Sequence, residues 1–471
     1  MKFINMPSLT LPPGRLTVWR TEAPPMSDAR WVRDRRRASC IQEASIMGAL
    51  EEQREGRASA SWLSCTFTLP EPLDQAAFTK ALCHWTDRHE TLRSHLRLSA
   101  TPTAHTQLER LTLETAAIKV DASFIGHFSN TGDLVHQLEQ LFNDSVSPLN
   151  WPGYLFTTIQ HATATTVCVA VDHTLIDGYS LFELPAEFSL LYHAAISADN
   201  TPLTLLPAAS YLDFAEAERS ASEALTADHE GIIRWQRFVN KSGGHLPPFP
   251  IPLDRPENPL IAQHSGHIMV MNKNDANAFS RICRAASGDT FSGLLACLAK
   301  SVHDKIGQCE FRTMIPCQTQ SGNRKPSMGW YVGMSPFACR IDGSSPFSSA
   351  LAHAVTGLKG IKTLAQIPIT RVAELINQPL RDPFMISYMD MRRTPGSRHW
   401  SEWQVATAYC TSVDPEEVCL WFIRTHDGLF LNYRHPASEQ ASHVISQYLA
   451  QTRKRLDSVV STGCWLDEGK Q

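Results

Sequence analysis

The run Val171-Asp172-His173-Thr174-Leu175-Ile176-Asp177-Gly178 sets an imidazole and a carboxylate four residues apart, with a glycine directly behind them. An imidazole is the side chain whose ordinary pKa lets it take up a proton near neutrality. A nearby carboxylate can hold the turn that aims the ring, either through its own backbone or by pairing with an arginine. The combination suits general-base chemistry, with His173 and Asp177 as the catalytic pair and Asp177 in the more architectural role. A lone histidine is more often a satisfied structural residue, and H-x-x-x-D-G alone is only moderately specific. The elements around it decide between these readings.

Thr165 to Val171 is short, apolar and rich in β-branched residues, which predicts a buried strand. Tyr179 to His193 carries apolar residues at helical spacing, with Pro185 expected to kink or delay the helix. His173 and Asp177 therefore fall on a strand-to-helix connection, where helix amide groups face the same space. Gly178 has no side chain, so a sharp turn and a close substrate are both allowed there. Together with Asp172 and Tyr179 it is a candidate substrate contact. Upstream, Leu63, Cys65, Phe67 and Leu69 alternate with polar residues, the pattern of a half-buried strand. Leu73 to His89 then puts Ala77, Phe78, Ala81, Leu82 and Trp85 on one helical face and ends in Arg88-His89-Glu90-Thr91-Leu92-Arg93.

Four segments together resemble the condensation-domain superfamily, which includes chloramphenicol acetyltransferase. They are Asp87 to Leu98 (DRHETLRSHLRL), Val171 to Leu181 (VDHTLIDGYSL), Met328-Gly329-Trp330-Tyr331-Val332-Gly333, and Ser387-Tyr388-Met389-Asp390 with Arg392 and Pro395-Gly396. The last is similar to the polyketide synthase associated acyltransferase branch. Peptide-forming members carry two adjacent histidines, whereas Asp172 stands where the first would be. That favours ester formation over amide formation. The plant-type Asp-Phe-Gly-Trp-Gly motif is absent.

The resemblance implies an α/β (α+β) fold of two chloramphenicol acetyltransferase-like lobes, forming a V around a central substrate channel. It implies direct transfer of an acyl group from a thioester of coenzyme A or of a carrier protein's phosphopantetheine to a hydroxyl of a specialised metabolite or glycolipid, without a covalent acyl-enzyme. Neutral His173 would take the acceptor proton, so activity should rise with pH through its titration. Asp177 would pair with an arginine, for which Arg93, Arg312 and Arg324 are candidates. Trp330 is a candidate lining residue, although packing into the second core is the competing reading for it and for Tyr331. An amide-forming condensation enzyme, or a non-catalytic module that docks carrier proteins, are the alternatives.

Composition agrees. A chain of 471 residues predicts two domains, and a net charge of -4 gives no general pull towards nucleic acid or anionic membrane. No stretch is long and apolar enough to span a bilayer, and prolines interrupt the N-terminus where a secretory signal would need its apolar run. A cytoplasmic monomer is expected. The twelve cysteines are dispersed, without zinc spacing, and read as reduced core residues. No metal and no resident cofactor are expected. No G-x-S-x-G, Walker A, G-x-G-x-x-G or H-E-x-x-H motif is present.

The predicted organisation is an N-terminal lobe over 1–200, a helical and proline-rich connector over 201–260, and a C-terminal lobe over 261–471. Prolines between Leu246 and Pro256 mark the boundary. In the second half, His267 to Met271 is strand-like, Thr290 is placed to cap a helix ending at Gly307, and Asp427-Gly428 signals a hairpin. A basic run, Arg30, Arg33, Arg35, Arg36 and Arg37, has the charge to meet coenzyme A phosphates or an acidic carrier protein, but such runs are usually solvated faces.

Overall fold

The computed structural model describes residues 3–56, 60–103, 106–197, 205–256, 258, 261–320, 326–381 and 383–465. These form two compact units that interleave along the chain. The first comprises Met1–Leu225, Gln320–Tyr331 and Arg393–Thr411, and the second Thr226–Thr319, Val332–Arg392 and Ser412–Gln471. The division at Leu225 and Thr226 precedes the proline-rich stretch taken from sequence as the boundary, because the polar stretch after Tyr211 is two helices, Tyr211–Glu223 and Glu230–Lys241. Two later segments also return to the first unit, which no boundary drawn once along the sequence can represent.

The first unit is built on a seven-stranded sheet in the order Phe3–Asn5, Ala406–Tyr409, Trp62–Leu69, Thr165–Asp172, Tyr154–Gln160, Arg15–Glu22 and Lys119–His127. Thr165–Asp172 sits at its centre, paired antiparallel on both sides and buried along its whole length, as the apolar run predicts. Its neighbour Trp62–Leu69 differs from the alternating reading, since its polar residues Ser64 and Thr66 are buried too. The returning strand Ala406–Tyr409 covers it, and the hydroxyls of Ser64 and Thr66 donate to the carbonyls of Ala408 and Ala406 at 3.3 and 3.4 Å. Short hydroxyl side chains satisfied in this way are tolerated inside a sheet.

Helix Gln75–Arg88 buries the five residues that its spacing marks, and Asp74 caps it by accepting from Ala77 N at 2.9 Å. Helix Gly178–Ile196 runs without interruption through Pro185. Proline removes one backbone donor there, but Leu181, Phe182, Leu184, Phe188 and Tyr192 around it are all buried, and this tertiary packing holds the helix.

The second unit has a six-stranded mixed sheet in the order His264–Asn272, Gly428–His435, Val418–Arg424, Phe384–Asp390, Glu310–Gln318 and Val332–Arg340. Helices Lys273–Ala285, Thr290–Ile306 and Glu439–Thr462 contribute to its apolar core. The Asp427-Gly428 hairpin and the Gly307 stop, left-handed at φ 71°, are found as expected. The cap of Thr290–Ile306 is Asp289 instead of Thr290, because the Asp289 carboxylate accepts from Ser292 N at 2.7 Å.

Candidate active site

The strand Thr165–Asp172 delivers His173 into a tight turn that is pinned at successive residues. Asp172 N–H donates to Gly153 O at 2.8 Å, His173 N–H to Ser61 O at 2.9 Å, and Leu175 N–H to Asp172 O at 2.9 Å. Inside the turn, Asp172 Oδ1 accepts from Thr174 N at 2.9 Å and from the Thr174 hydroxyl, and its Oδ2 accepts from the Ser61 hydroxyl. The Asp172 side chain is 0% exposed, and burial pushes its carboxyl above the usual range against the pull of those donors. A substrate contact was expected of it; the structure gives it to the turn. Gly178 is the first helical residue and is not one of the left-handed glycines, so its place does not rest on an unusual backbone angle. Tyr179 follows it and is partly exposed.

The ring of His173 is fixed in one tautomer. Nδ1 lies 2.8 Å from the carbonyl of Ile176, three residues on. A carbonyl only accepts, so Nδ1 carries the hydrogen and Nε2 carries the lone pair. Nε2 has no hydrogen-bond partner among the described residues and is not one of the sealed-off polar atoms, and His173 itself is partly exposed. Burial holds the imidazole below its ordinary pKa, opposed by the charges of Asp172 and Asp177, so the ring is neutral at pH 7. Trp330 stacks on one face of it, with centroids 4.1 Å apart.

Asp177 caps the following helix. Its Oδ1 accepts from Ser180 N at 2.8 Å and from Ser180 Oγ at 2.9 Å, and its Oδ2 accepts from Tyr331 N at 3.1 Å. One carboxylate thus fastens the turn, the helix start and the segment that carries Trp330. Trp330 and Tyr331 belong to the first unit, so the competing reading that packs them into the second core does not hold.

Of the arginines proposed as partners for Asp177, Arg93 donates instead to the carbonyl of Leu113. Arg312 sits on a strand of the second unit, where it pairs with Glu310 at 3.3 Å, donates to Ser242 Oγ at 2.6 Å and lies over the Phe238 ring. Arg93 is not bonded to Asp177, because it is drawn to an acceptor beside its own turn; Arg324 lies outside the described residues.

The basic run is likewise engaged. Arg36 pairs with Asp34, Glu90 and Asp213, and Arg37 with Glu216 and Glu223, at 2.6 to 2.8 Å. Arg30 pairs with Asp28 and Arg33 with Glu109, leaving Arg35 exposed. Helix Tyr211–Glu223 brings three carboxylates onto Arg36 and Arg37, which are committed within the fold, whereas Arg30, Arg33 and Arg35 form the solvated face that such a run usually makes.

Several supporting residues escape sequence reading. Ser61 holds both Asp172 and His173, and Gln42, in the capping box of helix Cys40–Arg54, donates through Nε2 to Thr174 O at 2.7 Å. Buried Arg110 braces Gln42 Oε1 at 3.4 Å. His89 and Arg88 both meet Glu187 on helix Gly178–Ile196, which ties the DRHETLR segment to the helix behind the turn. No group of three potential metal ligands occurs among the described residues.

Residues 46–389 match the condensation-domain family model. The chain belongs to the condensation-domain family. Acyltransferase PapA3 of Mycobacterium tuberculosis is 26% identical over 436 residues, covering 90% of this chain and 89% of the relative. The 2'-acyl-2-O-sulfo-trehalose (hydroxy)phthioceranyltransferase PapA1 of Mycobacterium bovis is 26% identical over 350 residues, covering 73% of this chain and 65% of that protein. Among solved structures, a PapA2 acyl transferase superposes with a TM-score of 0.86 at 21% identity, covering 98% of this chain and 100% of that one. The first condensation domain of the calcium-dependent antibiotic synthetase superposes with a TM-score of 0.69 at 14% identity, covering 93% and 99%. These likenesses establish the condensation-domain fold, and the protein is an acyltransferase. Among the described residues, no helix is long and apolar enough to cross a membrane.

Proposed function

We propose that the protein transfers an acyl group from a thioester of coenzyme A or of a carrier protein to a sugar hydroxyl of a glycolipid, with His173 as general base. The observation that carries this is the Nδ1–H bond to Ile176 O, which leaves Nε2 as an open, neutral proton acceptor. The attacking hydroxyl gives its proton to Nε2 as its oxygen bonds to the thioester carbonyl carbon. The tetrahedral intermediate then expels the thiolate, which takes the proton from Nε2. Among the leading helix amides, Ser180 N–H is used by Asp177, so that of Gly178 is the better candidate to face the oxyanion.

Direct transfer is favoured because no hydroxyl or thiol among the described residues is bonded to the His173 ring, as an activated nucleophile would be. The sugar acceptor is suggested by the trehalose-based substrate in the name of the PapA1 relative. The test is thiol release from an acyl-coenzyme A with trehalose or a trehalose sulfate as acceptor, alongside intact mass measurement with donor alone. An acylated enzyme, or equal turnover by His173→Ala, would refute the mechanism.

A further inference from the structure

Trp330 lies over the proposed base in a defined geometry. The indole and imidazole rings are 4.1 Å apart between centroids and 27° from parallel. The stack occupies a face of the imidazole and leaves both ring nitrogens to their other tasks, Nδ1 on Ile176 O and Nε2 open.

The backbone around Trp330 is held from two directions. Tyr331 N–H donates to Asp177 Oδ2 at 3.1 Å, and the Tyr211 hydroxyl donates to Trp330 O at 3.2 Å. The Tyr211 and Tyr331 rings meet edge to face at 4.9 Å, and the Tyr331 hydroxyl lies 2.6 Å from Ser327 Oγ. A Cβ on Gly329 would come within 2.3 Å of the Tyr211 ring, so only glycine lets the segment approach this closely. Helix Tyr211–Glu223, which supplies Tyr211, is itself fastened by Arg36 and Arg37. An indole anchored in this way is part of the turn's framework.

Building on the general-base reading above, we infer that Trp330 is a positioning residue for His173, fixing the plane of the imidazole and favouring the imidazolium formed when the acceptor proton reaches Nε2. An aromatic face attracts a cation more strongly than a neutral ring. The contact therefore tightens as the proton moves, and an interaction stronger in the transition state than in the ground state raises kcat. A residue that only lined a substrate path would act on KM for that substrate.

The test uses the full chain and the variants Trp330→Phe, Trp330→Leu and Trp330→Ala, with decanoyl-coenzyme A as donor and trehalose as acceptor. Hydrolysis of the thioester, with water as acceptor, supplies a rate through the same base if the sugar is not taken. Leucine keeps bulk without a π face and carries the test if the alanine variant does not fold. The leucine and alanine variants should lose about tenfold in kcat with each KM within about threefold, while phenylalanine stays within about threefold of wild type. The Cε1–H resonance of His173, assigned by its loss in His173→Ala, should move downfield when the indole is removed. An intact kcat with a raised KM, a phenylalanine variant as impaired as leucine, or an unmoved resonance would each overturn the inference. Activity persisting in His173→Ala would instead sink the general-base reading on which it rests.

Discussion

The backbone N–H of Tyr331 donates to Oδ2 of Asp177 across 3.1 Å, joining segments 154 residues apart in sequence. The other carboxylate oxygen closes the first turn of helix Gly178–Ile196 through Ser180. Asp177 is 0% exposed, so both sets of donors depend on it without help from solvent. The aspartate of the motif is a joint between the base-bearing turn and the segment that stacks on the base.

Replacing Asp177 should therefore cost stability and activity together. Asp177→Ala removes a helix cap and orphans a buried N–H, for a combined loss of about 2–4 kcal/mol. Asp177→Asn keeps one acceptor oxygen and should lose less. Urea unfolding with a two-state fit measures both, and an alanine variant as stable as wild type would contradict the joint.

His173→Ala should behave oppositely, with activity falling by about 10²–10⁴-fold and the unfolding midpoint little changed. The pH dependence has a fixed sign. The active form is the neutral imidazole, and burial holds its pKa below the ordinary 6.5. The rate should be level through neutral and alkaline pH and fall only on acidification below about 6.5, where the ring protonates. A rate that is still climbing between pH 7 and 9 would show that a different group limits proton removal.

The turn itself was legible in sequence because its contacts are local. A buried β-branched run, a histidine and a helical period sufficed to place His173, whose ring bond reaches only three residues to Ile176. Ser61, Gln42 and the stacking of Trp330 were not legible, since each reaches the turn from a distant segment and no local pattern encodes that meeting. The strand Trp62–Leu69 misled for a related reason. Its alternating polar residues normally mark a solvent face, but here their hydroxyls are satisfied by a strand arriving from residues 406–409.

Asp172, the residue that departs from the paired histidines of peptide-forming relatives, should prove structural. Its folded pKa is raised by burial, so folding binds its proton more tightly than the unfolded chain does. That contribution is fully present below the unfolded value of about 3.9 and is lost as pH rises through the folded value. Asp172→Asn does not titrate, so its stability deficit relative to wild type should narrow as pH rises from 4 to 8. Paired denaturation curves at several pH values test this, and a deficit that widens with pH would mean that the charged carboxylate is the stabilising form.

Arg36 and Arg37 should matter for folding and not for donor binding. Their guanidinium groups are committed to Asp34, Glu90, Asp213, Glu216 and Glu223, and Arg37 pulls the Glu216 carboxyl down to about 2. Side chains about a quarter exposed form a partly screened network, so Arg36→Ala should cost on the order of 1–2 kcal/mol, less at high salt. If these arginines held coenzyme A phosphates, the same substitution would raise KM for the donor several-fold while leaving KM for a phosphate-free N-acetylcysteamine thioester unchanged. The structure predicts equal and small changes for both donors. The helix that these arginines fasten also carries Tyr211, whose hydroxyl holds the Trp330 carbonyl. Any residual effect of Arg36→Ala should therefore appear in kcat, through the stack on His173, and be smaller than that of removing the indole itself.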